Sequence, residues 1–182
     1  MESLEDNVAI VAGGTGSVGE GLVRALLRAG AEVVVPYRNE RKKAALGQYV
    51  ADVGQGRLHC LPARLARNDS AVELRQALRE RFVRIDLAVA CLGGWYYGHG
   101  LHRMPFEDWR RVVEGHLHAH FLFMQSVLPV FYDQNRGTYI MVNGSAAEMV
   151  MPDSGVVSVM AAAQAMMTRV LCEDAKGTGV RA

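Results

Sequence analysis

Cysteine and net charge are both scarce in this sequence. Its three cysteines, Cys60, Cys91 and Cys172, lie far apart, which argues against a disulfide framework and against a C-x-x-C metal knuckle. This usage fits a reducing compartment, so we expect a cytoplasmic protein. The formal net charge of +1 gives no support for a nucleic-acid partner or an anionic membrane surface, because either would normally require a basic patch.

Targeting segments and long apolar runs are missing as well. The acidic start of the chain, MESLEDN, has no basic stretch followed by an apolar one and therefore predicts no signal peptide. No apolar run approaches the ~20 residues that a membrane-spanning helix needs, so no membrane partner is expected. The 182 residues suffice for one well-packed domain but not for two, and we predict a single domain over residues 1–182.

The sequence does contain a regular alternation of strand-like and helix-like segments. The patterns predict strands over residues 7–12, 32–36, 57–61, 85–91 and 138–143, and helices over 18–29, 39–50, 70–82, 105–128 and 156–176. Ser70 and Glu73 have capping-box spacing, Pro129 is expected to end the long helix, and Val180 to open a sixth strand. Near-continuous apolar strands in such an alternation predict an α/β fold, a Rossmann-type doubly wound parallel sheet with helices on both faces.

The stretch AGGTGSVG, residues 12–19, places a glycine at every third position directly after the first predicted strand. In a dinucleotide-binding loop, the first glycine permits a tight turn, small residues let the backbone approach a pyrophosphate, and the last lets the helix pack closely. The N–H groups of the helix start then attract the phosphates. The predicted cofactor-binding residues are Gly13, Gly14, Thr15, Ser17, Val18 and Gly19. The alternative is a glycine-rich turn that binds no ligand.

The end of the second predicted strand indicates which dinucleotide is bound. A carboxylate there favours NAD by accepting from the adenosine 2′-OH, whereas a basic residue favours the 2′-phosphate of NADP. This strand ends in VVVPYRNERKK, with Arg38 and Arg41 and no carboxylate at the turn. Guanidinium groups bind phosphate bidentately, so the sequence favours NADP(H) over NAD(H) and assigns Arg38 to the site. The alternative, a solvated basic helix start, suits residues 41–43.

Four further stretches extend this pattern along essentially the whole chain. They are DLAVACLGGW (86–95), WRRVVEGHLHAHFLFMQSVLP (109–129), GTYIMVNGSAA (137–147) and AAAQAMMTRVLCEDAKGTGVR (161–181). Together with the glycine loop, they resemble the short-chain dehydrogenase/reductase family. The resemblance implies hydride transfer between a nicotinamide cofactor and the carbonyl or alcohol group of a small-molecule substrate. Members of the family continue into further strands and a substrate lid, which we expect to be absent from this sequence, whether the chain is naturally short or trimmed.

The resemblance maps the family's catalytic groups onto specific positions. In the family a tyrosine protonates the substrate oxygen, a lysine four residues later tunes it, a serine binds that oxygen, and an asparagine organises a water. Ser145 matches the serine, and Gly93 is a retained glycine of the cofactor site. The tyrosine and lysine positions fall at Val157 and Ala161, and the asparagine position at His116. Valine and alanine transfer no protons, so the resemblance leaves catalytic activity open.

Another departure lies in the turn after the third strand. Arg64 stands where the family's aspartate accepts a hydrogen bond from the adenine amino group. An arginine side chain has no acceptor, although it can stack on the adenine ring.

Other residues are candidates for the missing chemistry. His116 is predicted to face the catalytic pocket, where a histidine acts as acid or base near neutral pH. His116 and His120 also have the spacing of a metal pair, but no third ligand is obvious and no metal is predicted. Trp95 and Tyr96 follow the fourth strand and are predicted to line the substrate site, or else to pack against their own loop.

Three functions follow from these observations. The first is an NADP(H)-dependent oxidoreductase with an atypical active site built from Ser145 and His116 or a loop tyrosine. The second is a catalytically inactive relative that acts as a binding or regulatory protein. The third is a non-redox reaction, a cyclisation or elimination, in the same pocket. In each case the resemblance implies a homodimer or homotetramer through the long central helix and the last helix.

Overall fold

The computed structural model describes residues 3–54 and 56–182, and its centre is a six-stranded parallel sheet in the order β3-β2-β1-β4-β5-β6. The strands are β1 (Val8–Ala12), β2 (Glu32–Tyr37), β3 (Leu58–Pro62), β4 (Leu87–Ala90), β5 (Gly137–Met141) and β6 (Val180–Arg181). The strand order reverses between β1 and β4, which places a crevice at the carboxyl ends of these two strands. The predicted Rossmann-type parallel sheet is confirmed, including the sixth strand that opens at Val180.

Helices connect the strands and cover the sheet. They are α1 (Ser17–Arg28), α2 (Glu40–Tyr49), α3 (Ala51–Gly54), α4 (Asn68–Arg81), α5 (Phe106–Val113), α6 (Ala119–Asp133) and α7 (Gly155–Asp174). A π-helical turn, Glu114–His118, joins α5 to α6 and makes one long central helix of the three. Short 3₁₀ turns cover Leu101–Arg103 and Ser145–Ala147.

Alternate residues of the strands supply two separate apolar layers. Ile10 of β1 is fully buried in a cluster with Phe123 of α6. The next residue, Val11, is fully buried in a second cluster with Leu27 of α1. Because successive side chains of a strand point to opposite faces, these two clusters lie on opposite sides of the sheet. The prediction that helices cover both faces is therefore confirmed.

The predicted capping box at Ser70 and Glu73 is wrong. Helix α4 begins at Asn68, and Arg67 precedes it in an extended conformation. The Ser70 N–H donates to the Arg67 carbonyl at 3.1 Å, so Ser70 already lies in the first helical turn. A capping residue must stand before the helix, which Ser70 does not. Asp69 in the same turn supplies the negative charge that a helix start favours.

Pro129 lies inside α6, so the predicted end of the long helix before this residue is also wrong. Proline has no N–H, and its presence leaves the carbonyl of Gln125, four residues earlier, without its helical partner. Arg75 of α4 replaces that partner and donates from Nη1 to the Gln125 carbonyl at 3.4 Å. Burial also favours continuation, since Phe131 beyond the proline is fully buried in the core.

Helix α7 is long and apolar enough to cross a membrane, by length and composition alone. Gln164, Thr168 and Arg169 interrupt its apolar residues, so no unbroken apolar run approaches ~20 residues, and the expected absence of a membrane partner stays a prediction. Core helices meet the same test, and α7 buries Val156 and Leu171 within the fold, so this feature is weak evidence for a membrane.

Arg75 should contribute to stability only while Pro129 is present, because it replaces the hydrogen bond that the proline removes. Arg75→Ala should lower the free energy of unfolding by about 0.5–1.5 kcal/mol in the wild-type chain. In a Pro129→Ala background the Gln125 carbonyl regains its helical N–H, so the same change should cost close to nothing. Urea unfolding of the four proteins of this double-mutant cycle measures the difference. Equal costs in the two backgrounds would contradict the account.

Candidate functional site

Glycines with no room for a side chain shape the loop between β1 and α1. Gly13 has a φ of +81°, and a Cβ there would lie 2.1 Å from the Cys91 carbonyl oxygen. A Cβ on Gly19 would lie 2.1 Å from the Gly13 carbonyl oxygen, and one on Gly14 would lie 2.9 Å from the Val35 side chain. The start of α1 therefore packs directly on the turn after β1, as the sequence predicted, and the same turn contacts Cys91 after β4.

This packing leaves the start of α1 open toward the crevice. Gly16 precedes the helix in an extended conformation, and no side chain in the described ranges caps the helix. The first N–H groups of a helix have no partner within it, so those of Ser17 and Val18 are available. Both residues are exposed, and Thr15 beside them is half-buried. Uncapped N–H groups at the start of this helix suit a pyrophosphate, and the residues present fit a dinucleotide.

Three side chains are joined by hydrogen bonds at the end of β2, which we call the rim after β2. The Tyr37 hydroxyl donates to Glu40 Oε1 at 2.8 Å, and Lys43 Nζ donates to Glu40 Oε2 at 2.8 Å. Lys43 also lies over the Tyr37 ring, 4.7 Å from its centroid. The hydrogen bond from Lys43 lowers the pKa of Glu40, so this carboxylate is ionised and already engaged. Arg38, which follows Tyr37, is exposed.

His116 holds the loop that follows β4. Its Nδ1 lies 2.9 Å from the Val112 carbonyl oxygen, and its Nε2 lies 2.7 Å from the oxygen and 3.1 Å from the nitrogen of Gly94. Gly93 has a φ of +127°, and a Cβ there would lie 2.9 Å from the His116 ring. Both ring nitrogens thus contact main-chain atoms, and the ring requires a glycine beside it. The predicted acid or base role of His116 competes with these contacts.

His120 secures the same loop one turn later along the central helix. It is fully buried, and its Nε2 donates to the Leu92 carbonyl at 3.0 Å. Burial lowers the pKa of His120, which keeps the ring neutral. The rings of His116 and His120 both contact main-chain oxygens of this loop through Nε2, and Nδ1 of His120 has no hydrogen-bond partner among the described residues. Within residues 3–54 and 56–182, no group of three His, Cys, Asp or Glu is placed to hold a metal ion.

The two positions predicted to match the family's tyrosine and lysine are apolar and buried. Val157 and Ala161 lie one turn apart on α7, with exposed fractions of 7% and 5%. They belong to a third apolar cluster, whose other buried members are Tyr96, Val112, Ala146, Val156 and Met160. At these two positions a carbonyl substrate would meet methyl groups and no proton donor.

Tyr96 belongs to this apolar cluster, whereas its neighbour Trp95 does not. Tyr96 is 7% exposed, and its hydroxyl donates to Asp108 Oδ2 at 3.4 Å. Burial and the nearby Asp108 charge raise the pKa of Tyr96, so its phenol stays neutral. Trp95 is 64% exposed, so a ligand can contact it without any movement of the loop. Their predicted role in substrate binding remains a prediction.

Ser145 stands on the exposed 3₁₀ turn after β5, and two polar residues that the sequence did not single out lie at the end of β5 and on α7. Asn143 donates from Nδ2 to the Ala161 carbonyl at 2.7 Å and so ties the end of β5 to α7. Gln164 lies on the same helix face as Ala161, is 3% exposed, and its Nε2 has no hydrogen-bond partner among the described residues. Neither residue stands at a position that the family motif assigns, so the sequence offered no signal for them.

A sequence-family model described as enoyl-(acyl carrier protein) reductase matches residues 12–182 of the chain. The chain belongs to the short-chain dehydrogenase/reductase family. An uncharacterized oxidoreductase of Staphylococcus saprophyticus is 24% identical over 181 residues, which cover 100% of this chain and 77% of the relative. A rhamnolipids biosynthesis 3-oxoacyl-(acyl-carrier-protein) reductase of Pseudomonas aeruginosa is 30% identical over 128 residues, which cover 70% of this chain and 49% of that protein.

Solved structures of the family share this fold. The crystal structure of gox2181 has a TM-score of 0.92 at 22% identity and covers 99% of this chain and 70% of its own. The Pseudomonas aeruginosa RhlG/NADP active-site complex has a TM-score of 0.86 at 26% identity, with 98% of this chain and 70% of its own covered. A Shigella flexneri short-chain dehydrogenase complexed with NADP has a TM-score of 0.89 at 19% identity and covers 99% and 76%.

Two glycines of α1 give a matched test of the loop. A Cβ at Gly19 would lie 2.1 Å from the Gly13 carbonyl oxygen, whereas a Cβ at Gly21 meets nothing within 4 Å. Gly19→Ala should therefore lower the free energy of unfolding by about 1–3 kcal/mol through overpacking. Gly21→Ala should raise it by about 0.5–1 kcal/mol, because alanine is the better helix former. Urea unfolding compares the two variants, and a Gly19→Ala protein as stable as Gly21→Ala would refute the packing.

The buried His120 predicts that stability falls in mild acid. Its folded-state pKa is lowered, so below the unfolded value of about 6.5 the unfolded chain binds more protons than the folded chain. The free energy of unfolding should therefore decrease as the pH drops from about 6.5 toward 5. His120→Gln should flatten this slope, whereas His99→Gln, at an exposed position, should leave it unchanged. Denaturant unfolding at several pH values gives the slopes, and identical slopes for all three proteins would disprove the role of His120.

Proposed function

We propose that the protein binds NADP(H) at the carboxyl edge of its sheet and lacks the proton relay of a carbonyl reductase. The proposal rests on a contrast between the glycine loop, which is kept, and the positions assigned to the proton relay, which are apolar. The glycines that shape the dinucleotide loop remain, with no space for a Cβ at Gly13 or Gly19. The positions for the acid and its tuning lysine are the buried, apolar Val157 and Ala161.

The cofactor site is supported by the loop and by relatives. Gly13, Gly14 and Gly19 set the turn, and the start of α1 at Thr15, Ser17 and Val18 offers N–H groups to a pyrophosphate. Gly93 borders the crevice at the end of β4. Two neighbours in fold were solved with NADP. When bound, the cofactor supplies a hydride at its nicotinamide ring.

The preference for NADP(H) over NAD(H) rests on the rim after β2. An adenosine 2′-OH calls for a carboxylate acceptor at this rim. The nearest carboxylate, Glu40, is engaged by Tyr37 and Lys43 at 2.8 Å each. Arg38 is exposed there and offers a bidentate partner for a 2′-phosphate.

In the described part of the chain, the site lacks a side chain that is well placed to donate a proton to a substrate. Loss of a general acid costs about 10²–10⁴ in rate, and valine and alanine cannot donate. Tyr96 is bonded to Asp108 with a raised pKa, and both ring nitrogens of His116 contact the backbone. Ser145 remains as an exposed hydroxyl that binds a small-molecule oxygen, with no side-chain hydrogen bond to tune it among the residues that the structure describes. The site therefore suits binding or regulation better than rapid carbonyl reduction, and nothing specific favours a cyclisation or elimination.

The proposal also covers the oligomeric state and the cellular location of the protein. Members of the family commonly form oligomers and act on small molecules. Phe121 of the central helix and Met166 and Val170 of α7 are apolar side chains with exposed fractions of 50%, 54% and 52%. We propose that these helices pair in a homodimer or homotetramer. Cys60, Cys91 and Cys172 are free thiols, which fits the reducing cytoplasm.

Restoring the missing pair tests the catalytic part of the proposal. Val157→Tyr combined with Ala161→Lys should raise NADPH oxidation across a panel of aldehydes and ketones by about 10²-fold or more over the wild type. The matched control is Val157→Phe with Ala161→Met, which adds similar bulk without a proton donor and should give no increase. Wild-type turnover as fast as that of the Tyr–Lys variant would overturn the absence of a relay.

A further inference from the structure

An arginine follows each of the adjoining ends of β2 and β3. Tyr37 pairs with Pro62 in the sheet, and the Ala63 N–H donates to the Tyr37 carbonyl at 2.8 Å beyond the last regular pair. Arg38 follows Tyr37 and Arg64 follows Ala63, so the two arginines stand at the adjoining ends of β2 and β3, one register position apart. Both are exposed.

Neither arginine is neutralised by a neighbour. Across residues 3–54 and 56–182, Arg38 and Arg64 make no ion pair and their side chains make no hydrogen bond, whereas the nearby carboxylates are taken. Glu40 is held by Lys43 at 2.8 Å, and Asp69 is held by Arg67 at 3.1 Å. The rim thus presents two guanidinium groups without a counter-ion, at the place where a Rossmann-type fold receives the adenosine ribose.

We propose that Arg64 binds the 2′-phosphate together with Arg38 and is a specificity-determining residue for the phosphorylated dinucleotide. The proposal rests on the proposed NADP(H) function. A phosphomonoester carries nearly two negative charges at neutral pH, and two guanidinium groups match that charge with bidentate hydrogen bonds. Arg64 has five N–H donors and no acceptor, so it offers nothing to the adenine amino group.

With an arginine at position 64, this site recognises the 2′-phosphate of the cofactor instead of the amino group of its adenine. A site that reads the adenine amino group discriminates against hypoxanthine, whose ring bears an oxygen in its place. With Arg64 at the rim, the hypoxanthine analogue of NADPH should bind within about threefold of NADPH, because no acceptor for the amino group is lost. Arg64→Asp should restore an acceptor, favour adenine over hypoxanthine, and weaken NADPH by charge repulsion.

The test is a set of equilibrium titrations of the full chain with NADPH and NADH. Arg64→Ala should weaken NADPH at least tenfold and change NADH by less than twofold. Arg38→Ala should do the same, and the double variant should lose less than the product of the two single losses, because both groups bind one phosphate. Arg67→Ala removes a neighbouring arginine that pairs with Asp69 and should change neither affinity.

The outcomes separate this proposal from the function on which it rests. An Arg64→Ala protein that binds NADPH as tightly as the wild type, or that loses NADPH and NADH equally, overturns the role of Arg64 while the cofactor site stands. A wild-type protein that binds neither dinucleotide overturns the proposed function itself. A strong preference of the wild type for NADPH over its hypoxanthine analogue would also contradict the assignment.

Discussion

The contact between the Gly13 carbonyl and Gly19 is the constraint on which the site depends. A Cβ at Gly19 would stand 2.1 Å from that oxygen, so α1 meets the end of β1 without any side chain between them. The same turn touches Cys91 at the end of β4, which joins the loop to the strand across the crevice. This packing aims the uncapped helix start at the crevice whether or not a catalytic residue is present.

A second part of the structure is held by apolar packing. Val157 and Ala161 join Tyr96 in an apolar cluster, and burial of these side chains stabilises the contact between α7 and the loop after β4. His116 and His120 reinforce the same loop through its backbone at Gly94 and Leu92. If Val157 and Ala161 occupy the positions that the resemblance assigns to the proton relay, these positions contribute packing here and no acid.

Local sequence patterns predicted the fold more completely than they predicted the site. Glycine spacing and strand composition predicted the sheet and the β1–α1 turn, because those features depend on neighbours in sequence. The helix past Pro129 could not be predicted, since its missing hydrogen bond is replaced by Arg75 from another helix. Strand register and helix packing also determine three features that local motifs do not encode. These are the contact between His116 and Gly94, the amide of Gln164 that has no partner among the described residues, and the adjoining strand ends that lead to Arg38 and Arg64.

The central claim is that a cofactor site persists where the proton relay is gone. The most direct measurement is a titration of the wild-type chain with NADPH and NADH, read by energy transfer from Trp95 and Trp109 to the reduced nicotinamide. The account predicts saturable binding of NADPH in the micromolar range, with weaker binding of NADH. Absence of binding at millimolar concentrations of both would contradict it, and the glycine loop would then be a structural turn alone.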